Sequence, residues 1–325
     1  MENLINQKDK IFIAGHKGMA GSAIYRAFKK KGYENIICVN RSKLNLEENN
    51  QVDNFFQKEK PDVVILAAAK VGGILSNQMH PADFILKNLK IQNNIIESSW
   101  KNNVRRFLFL GSSCIYPKFA KQPIKEEYLL SGALENTNEY YALAKIAGLK
   151  LCQALNKQYG FDAICLMPTN LYGPGDNYDL KTSHVLPALI RKFYEAKINQ
   201  NKEVICWGDG SPFREFLHCD DLGSATLYAL ENINQKSISS INQIDTDLLH
   251  INVGTSKEIS IKGLANLIAN KCNYRGIIKW DLSKPNGTPQ KRLDTQLLNE
   301  LGWEAKIKLS DGIDKTIEDF MKIYS

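Results

Sequence analysis

Tyr141-Ala-Leu-Ala-Lys145 places a phenol and an ammonium four residues apart, which on a helix means one turn apart on one face. A phenol titrates near pH ~10 and exchanges protons poorly at neutrality. A cation one turn away favours its ionised form and can also hold a ribose hydroxyl. Tyr140 has no lysine four residues on, so the spacing selects Tyr141. Alone, such a pair arises often on helices by chance. Upstream, Arg106-Phe-Leu-Phe-Leu110 reads as a strand running into Gly111-Ser112-Ser113-Cys114. A serine hydroxyl at the carboxyl end of a strand can hydrogen-bond a substrate carbonyl, and open α/β sheets bind ligands at that edge. By residue type alone, Cys114 reads as a small buried apolar side chain. His184 reads equally as a loop hydrogen-bonder or a functional group.

A second chemistry is written near the amino terminus. Lys10-Ile-Phe-Ile-Ala14 is a short apolar strand ending in Gly15-His16-Lys17-Gly18-Met19-Ala20-Gly21, which opens a helix. Glycines in that position permit a tight turn and let backbone N–H groups approach a pyrophosphate at the positive helix end. Dinucleotide enzymes that take NAD place an acidic residue at the end of the second strand. Here that strand ends in Asn40-Arg41, with Lys43 close by. A guanidinium suits a 2′-phosphate, which a carboxylate would repel, so NADP(H) is the expected cofactor. The alternative is a surface arginine after a strand.

These groups need a scaffold, and the first 170 residues supply one. Apolar runs at 10–14, Ile36–Val39, Asp62–Ala67, Arg106–Leu110 and Ala163–Met167 alternate with helical patterns over Gly18–Lys30, Val52–Phe56, Pro81–Lys101 and Tyr141–Tyr159. Continuous apolar strands separated by helices predict an α/β fold with a doubly wound parallel sheet covered on both faces. After Pro168 the pattern breaks into shorter elements and loops, Tyr172-Gly-Pro-Gly-Asp-Asn177 and Trp207-Gly-Asp-Gly-Ser-Pro212 among them. Leu249-His-Ile-Asn-Val253 reads as one more sheet strand, so the second domain is expected to be discontinuous. The expected division is 8–173 with 215–256 for the dinucleotide domain, and 174–214 with 257–325 for a smaller α/β substrate domain.

Composition narrows the class. Hydrophobic residues at 43% and charged residues at 24% are those of an ordinary globular protein. No apolar run reaches the ~20 residues that span a bilayer, and residues 1–10 are polar, so neither a membrane nor a leader peptide is expected. Seven scattered cysteines with no C-x-x-C pair predict neither disulfides nor a metal site, and point to a reducing cytoplasm. The net charge of +7 suits an anionic ligand, while its even spread argues against nucleic acid.

Taken together, Phe12-Ile-Ala-Gly-His-Lys-Gly-Met19, Leu66-Ala-Ala-Ala-Lys-Val-Gly-Gly-Ile74, Phe109-Leu-Gly-Ser-Ser-Cys-Ile-Tyr-Pro117, Met167-Pro-Thr-Asn-Leu-Tyr-Gly-Pro174 and Arg214-Glu-Phe-Leu-His218 resemble the GDP-L-fucose synthase family almost end to end. The resemblance implies a bifunctional 3,5-epimerase and 4-reductase of GDP-4-keto-6-deoxy-D-mannose, and a homodimer. It implies Tyr141 as proton donor, Ser112 as carbonyl partner, Lys145 as cofactor ligand, and Cys114 with His184 as the acid–base pair. It further implies that Leu110, Gly111, Ser112, Ser113, Pro168, Thr169, Asn170, Leu171 and His184 line the cofactor. Lys192, Trp207 and Arg214 would hold the nucleotide sugar. From residue type alone, Trp207 reads equally as a core tryptophan and Arg214 as half of a surface ion pair. Two positions depart from the family: Asn286 stands where an aspartate is common at a substrate contact, and Lys192 where arginine is also found. Competing expectations are a sugar-nucleotide 4,6-dehydratase or 4-epimerase, and a non-catalytic NADP-binding regulator. Dehydratases usually carry an acidic pair beside the serine, where this chain has Cys114. A regulator should have lost Tyr141 or Lys145, and both are present.

Overall fold

The computed structural model describes residues 3–242 and 250–324. The first half runs β1 (Ile11–Ala14), α1 (Met19–Lys31), β2 (Ile36–Ile37), α2 (Asn49–Glu59), β3 (Val63–Leu66), α3 (Ile74–Met79), α4 (Pro81–Lys101), β4 (Arg106–Leu110), α5 (Glu139–Tyr159), β5 (Ala163–Pro168). The second half runs β6 (Asn170–Tyr172), α6 (Val185–Ile198), β7 (Glu203–Trp207), β8 (Phe213–His218), α7 (Cys219–Asn232), α8 (Gln235–Asn242), β9 (His250–Val253), β10 (Glu258–Ser260), α9 (Ile261–Lys271), β11 (Ile277–Asp281), β12 (Gln290–Lys291), α10 (Gln296–Glu300), α11 (Leu309–Tyr324).

Six strands form one parallel sheet in the order β2-β1-β3-β4-β5-β9. This is the doubly wound sheet expected from the alternating pattern. Alternate residues serve opposite faces. Ile11, Ile13, Val63, Ile65, Leu108 and Ile164 pack on one side with Ile24 and Phe28 of α1 and Leu222 of α7. Phe12, Val64, Leu66, Phe107 and Phe109 pack on the other with Phe56 of α2, Ile95 of α4 and Leu149 of α5. With both faces covered, no polar alternation is needed, and each fully buried side chain of this size contributes about 1.5–3 kcal/mol.

A third core gathers Ile190 and Phe193 of α6, Leu264 of α9, Phe320 of α11, and Tyr172 and Phe216. Around it β8 pairs with β6, β10 and β12, and β7 pairs with β11. Strand β2 is two residues long where Ile36–Val39 was expected. Leu249, the expected start of the last sheet strand, lies outside the described residues, and β9 is described from His250. The stretch 257–325 also differs from expectation. It contributes Leu297, Leu298 and Trp303 to one face of the large sheet and Leu293 to the other, because α10 docks beside β9.

Arg106 opens β4 yet is 1% exposed. Its guanidinium donates to Asp162 at 2.6 Å and to the carbonyls of Leu230 at 2.9 Å and Ala229 at 3.1 Å. It thereby bonds to carbonyls in the last turn of α7, whose own helical partners are running out. All seven cysteines are free thiols. Among the described residues no helix is long and apolar enough to cross a membrane.

Candidate active site

The strand order reverses between β1 and β3, and a crevice at such a switch point is where these sheets bind ligands. Gly15 leaves β1 at φ +94°, and a Cβ there would stand 2.6 Å from the backbone nitrogen of Ala68, which follows β3. A Cβ on Gly21 would collide with the carbonyl of Gly15. Turn and helix therefore close tightly only with glycines at both positions. Gly18 is different: its nearest protein neighbour is the Gly15 carbonyl at 3.6 Å, so the space beside it is open. It begins α1 with no side-chain cap and no acidic residue in the first turn, while Lys29, Lys30 and Lys31 sit in the last turn. His16, Lys17, Met19 and Ala20 complete this cradle, whose bare helix N-terminus fits a dinucleotide pyrophosphate. His16 hydrogen-bonds Asn40, which brings the end of the second strand to the glycine turn; burial, then the charge of Lys17, lowers the His16 pKa. Arg41 is mostly exposed but not free, since its guanidinium holds Glu47 at 2.7 Å.

Beyond β4, Ser112 begins a single turn of 3-10 helix, Ser113–Ile115, and its Oγ accepts from the Cys114 backbone N–H at 3.2 Å. Tyr141 lies in the first turn of α5, and its hydroxyl hydrogen-bonds Ser112. Lys145 is 4% exposed and donates to the Leu110 carbonyl at 2.7 Å, with its ammonium 5.9 Å from the Tyr141 ring centre. The expected electrostatics need correction here. Burial first, and Cys114 second, push the Tyr141 hydroxyl well up, with only the Ser112 hydrogen bond opposing. The lysine, committed to a backbone carbonyl, does not pull the phenol down. Tyr141 is thus held protonated, as a proton donor must be. Burial alone lowers Lys145 to about 8.

Cys114 is half-buried rather than sealed in the core. Its Sγ accepts from Asn138 Nδ2 at 3.2 Å and from Lys291 Nζ at 3.3 Å. Burial pushes the thiol up, but the Lys291 charge and the Ser112, Lys291 and Asn138 hydrogen bonds outweigh it, and the net direction is down. Asn138 occupies the N-cap of α5 yet makes no cap bond, because its amide is turned onto the sulfur. Forgoing an asparagine cap typically costs ~1 kcal/mol. His184 is the N-cap of α6 and likewise makes no cap bond. Desolvation first, and Lys291 second, lower its pKa. Lys291 therefore acts on both residues of the expected acid–base pair. Its β12 pairing with β8 sets it opposite Arg214. Gly73 positions the histidine from another side: its N–H donates to the Thr182 carbonyl at 2.9 Å, and a Cβ on it would collide with the Ser183 carbonyl. Lys291, Asn138 and Gly73 were not among the expected site residues. Only Gly73 left a sequence signal, in the Val-Gly-Gly run.

Of the expected cofactor-side residues, Pro168 ends β5, while Thr169 and Asn170 are committed inward, both donating to the Glu215 carbonyl (3.2 and 2.8 Å). Leu171 packs against the first core. The expected sugar-nucleotide residues do converge. Trp207 ends β7 with 42% exposure, and Lys192 and Lys284 hold their ammoniums 5.8 and 5.7 Å from its ring centre. Arg214 donates to the Asn286 carbonyl at 3.4 Å. The Asn286 side chain accepts from the Asp209 N–H at 3.1 Å, so here it closes the Trp207–Gly210 loop. An aromatic face flanked by two cations beside an arginine suits a base or sugar joined to a diphosphate.

The chain is similar to known proteins over most of its length. Residues 11–244 match the NAD dependent epimerase/dehydratase family. The chain is 48% identical over 322 residues to GDP-L-fucose synthase 1 of Arabidopsis thaliana, covering 99% of this chain and 96% of that one. It is 48% identical to GDP-L-fucose synthase of Escherichia coli, covering 97% of each. Among solved structures it is similar to a GDP-L-fucose synthetase from Naegleria fowleri bound to NADP, with TM-score 0.85, 26% identity, and coverage of 98% and 96%.

Proposed function

This chain belongs to the NAD dependent epimerase/dehydratase family and, within it, to the GDP-L-fucose synthases, and from that premise we propose how its site performs the two reactions. It is an NADP-dependent enzyme that converts GDP-4-keto-6-deoxy-D-mannose to GDP-L-fucose. The observation that carries the two-stage reading is Cys114. Its sulfur is held by Lys291 and Asn138 beside Ser112, whose hydroxyl bonds Tyr141, so a second acid–base centre adjoins the reductase constellation.

A 4-keto group acidifies the hydrogens on carbons 3 and 5. Inversion needs a base on one face of the ring and an acid on the other. Cys114, lowered by Lys291, and His184, lowered by desolvation, are the pair, while Ser112 and Tyr141 hold the ketone oxygen as negative charge develops on it. When bound, the cofactor supplies hydride to carbon 4. Tyr141, held protonated by burial, gives its proton to the resulting alkoxide. Lys145, anchored on the Leu110 carbonyl, is the residue that would hold the nicotinamide ribose. The glycine turn, Asn40 and Arg41 would hold the adenosine end, and Leu110–Ser113 with Pro168 would line the reactive end, while Thr169, Asn170 and Leu171 back that wall from the protein side. Lys192, Trp207 and Arg214 hold the GDP moiety, with Asn286 shaping their loop. The division into a dinucleotide unit and a smaller sugar-nucleotide unit belongs to the same proposal, amended by the residues of α10.

The enzyme acts as a cytoplasmic homodimer. α4 and α5 pack on each other and leave Leu86, Tyr140 and Leu143 exposed for a partner's copies of the same helices. Sedimentation at micromolar concentration should give twice 36.7 kDa; a mass near 36.7 kDa would overturn the dimer.

The decisive experiment separates the two chemistries. Cys114→Ser should slow deuterium entry at carbons 3 and 5 from heavy water by about 10²–10⁴, the usual worth of a general acid–base group. It should still bind NADPH. Tyr141→Phe should still exchange hydrogens, slowed by the loss of one of the two groups on the ketone oxygen, while failing to oxidise NADPH. Exchange at the wild-type rate in Cys114→Ser makes Cys114 structural and sinks the reading.

A further inference from the structure

A cavity of about 20 Å³ lies behind Cys114, lined by Cys114, Lys118, Glu135, Asn138, Thr288 and Lys291 among others. Neither Ser112, Tyr141 nor His184 lines it, so it reaches Cys114 without touching those reactive groups. It is far too small for a sugar ring and large enough for about one water. Its walls are polar enough to hold one. Asn138 Oδ1 is buried with no protein partner, while its Nδ2 sits on the Cys114 sulfur. Glu135 is 9% exposed, and its carboxylate takes Lys118 at 3.1 Å, the Thr288 hydroxyl at 3.2 Å and the Thr137 N–H at 3.3 Å. Burial pushes that carboxyl up, but Lys118 and these hydrogen bonds outweigh it, so the group stays ionised at neutral pH. Lys118 continues the line outward, 30% exposed and followed by the largely exposed Phe119.

The chemistry supplies the need. The hydrogens on carbons 3 and 5 of a D-manno-configured ring lie on one face, so both inversions start from the same protonation states of Cys114 and His184. Each inversion breaks one C–H bond and forms another on the opposite face, leaving both groups in the states opposite to those they began with. Something must reset the pair between the two.

We propose that Glu135 and the cavity behind Cys114 form the proton path that returns Cys114 to its starting state between the inversions. The path rests on Cys114 and His184 being the acid–base pair. When Cys114 ends an inversion as thiolate, an N–H bond of Lys291 breaks as the S–H bond forms. The lysine amine takes a proton from the cavity water, and bulk solvent replaces that proton past Glu135 and Lys118. When Cys114 ends as a thiol, the same bonds are crossed in reverse. No electrons are transferred, and the balance is one proton between solvent and sulfur. Glu135 touches no reacting atom. It is a positioning residue that orients the water and balances the Lys291 charge.

The test is rapid-quench mass spectrometry of substrate turned over in deuterated buffer, comparing wild type with Glu135→Gln. The glutamine keeps the shape and an acceptor for the Thr137 N–H but removes the charge. The first deuterium should enter within about twofold of the wild-type rate, and the second about tenfold or more slowly, so singly deuterated keto sugar builds up. Millimolar imidazole, a small proton carrier, should restore the second step. Glu135→Asp, which keeps the charge for Lys118 but ends one carbon short, should show a smaller imbalance of the same kind, and decides the matter if Glu135→Gln does not fold. Equal slowing of both exchanges, or slowing of neither, overturns the path. Absence of any exchange at carbons 3 and 5 in the wild type overturns the acid–base reading beneath it, a different and separable result.

Discussion

Replacing Lys291 with methionine keeps the length of the side chain and removes the charge that lies 3.3 Å from the Cys114 sulfur. Two unit charges at that separation attract by about 1.3 kcal/mol at the dielectric of water and about 5 kcal/mol at an effective value of ~20. The site is half-buried, which places the interaction between these bounds. At ~1.4 kcal/mol per factor of ten, the thiolate share of Cys114 near neutrality should fall by a factor between just under ten and a few thousand. Without the lysine, burial is the largest remaining influence, so the thiol should move up. His184 should move up as well, because the same charge helps to hold it down. Both limbs of the exchange profile should therefore shift to higher pH together. The assay is alkylation by iodoacetamide, whose rate follows the thiolate, read on the Cys114 peptide by mass spectrometry across pH 6–10. Exchange of substrate hydrogens in heavy water is followed alongside. A Cys114 alkylation profile that stays where it is in the wild type, or moves to lower pH, refutes the argument.

Lys145, lowered by burial to about 8, loses its charge as pH rises through that value, so the reduction rate should fall above pH ~8 while NADPH stays bound. Its ordinary pKa is 10.5, so between about 8 and 10.5 the unfolded chain binds the extra proton and stability from this group rises with pH. Lys145→Met should remove that rise in urea titrations at pH 7.5 and 9.5, and an unchanged slope would count against the burial. Arg41→Ala should raise the KM for NADPH by about tenfold or more, matching the ~1.5–3 kcal/mol of a charged hydrogen bond. The KM for NADH should hardly move, and equal effects on the two cofactors would remove Arg41 from the 2′-phosphate site. Gly73→Ala should displace Ser183 and with it His184, costing ~1–3 kcal/mol of stability as overpacking does. Proton exchange should slow while the KM for NADPH stays fixed; wild-type exchange would mean the Gly73 approach does not position the histidine.

Local pattern was enough for the sheet. Continuous apolar runs such as Val63–Leu66 and Arg106–Leu110 mark strands buried on both faces, and burial on both faces already implies helices above and below. The glycine turn and the Tyr141–Lys145 spacing were legible for the same reason, since each depends on residues within one turn or one helix. Residue type alone left Cys114 a small apolar side chain; the family resemblance put it to work, and neither could say what would activate it. Lys291 is far along the chain from Cys114, and nothing in Gln290-Lys291-Arg292 announces chemistry; the pairing of β12 with β8 brings it in. Asn138 would pass for an ordinary helix cap until its amide is seen on the sulfur. Spacing suggested that Lys145 would ionise Tyr141, whereas burial, which no spacing encodes, keeps the phenol protonated and turns the lysine to the Leu110 carbonyl. Arg41 carries the residue type expected of a 2′-phosphate site and Asn286 departs from the family's aspartate, yet Glu47 and Asp209 respectively engage them. Charge and hydrogen-bond state depend on what surrounds a group in three dimensions. The order of residues determined which groups this chain holds, and only the packing of β8, β12, α5 and α6 decided which of them act on one another.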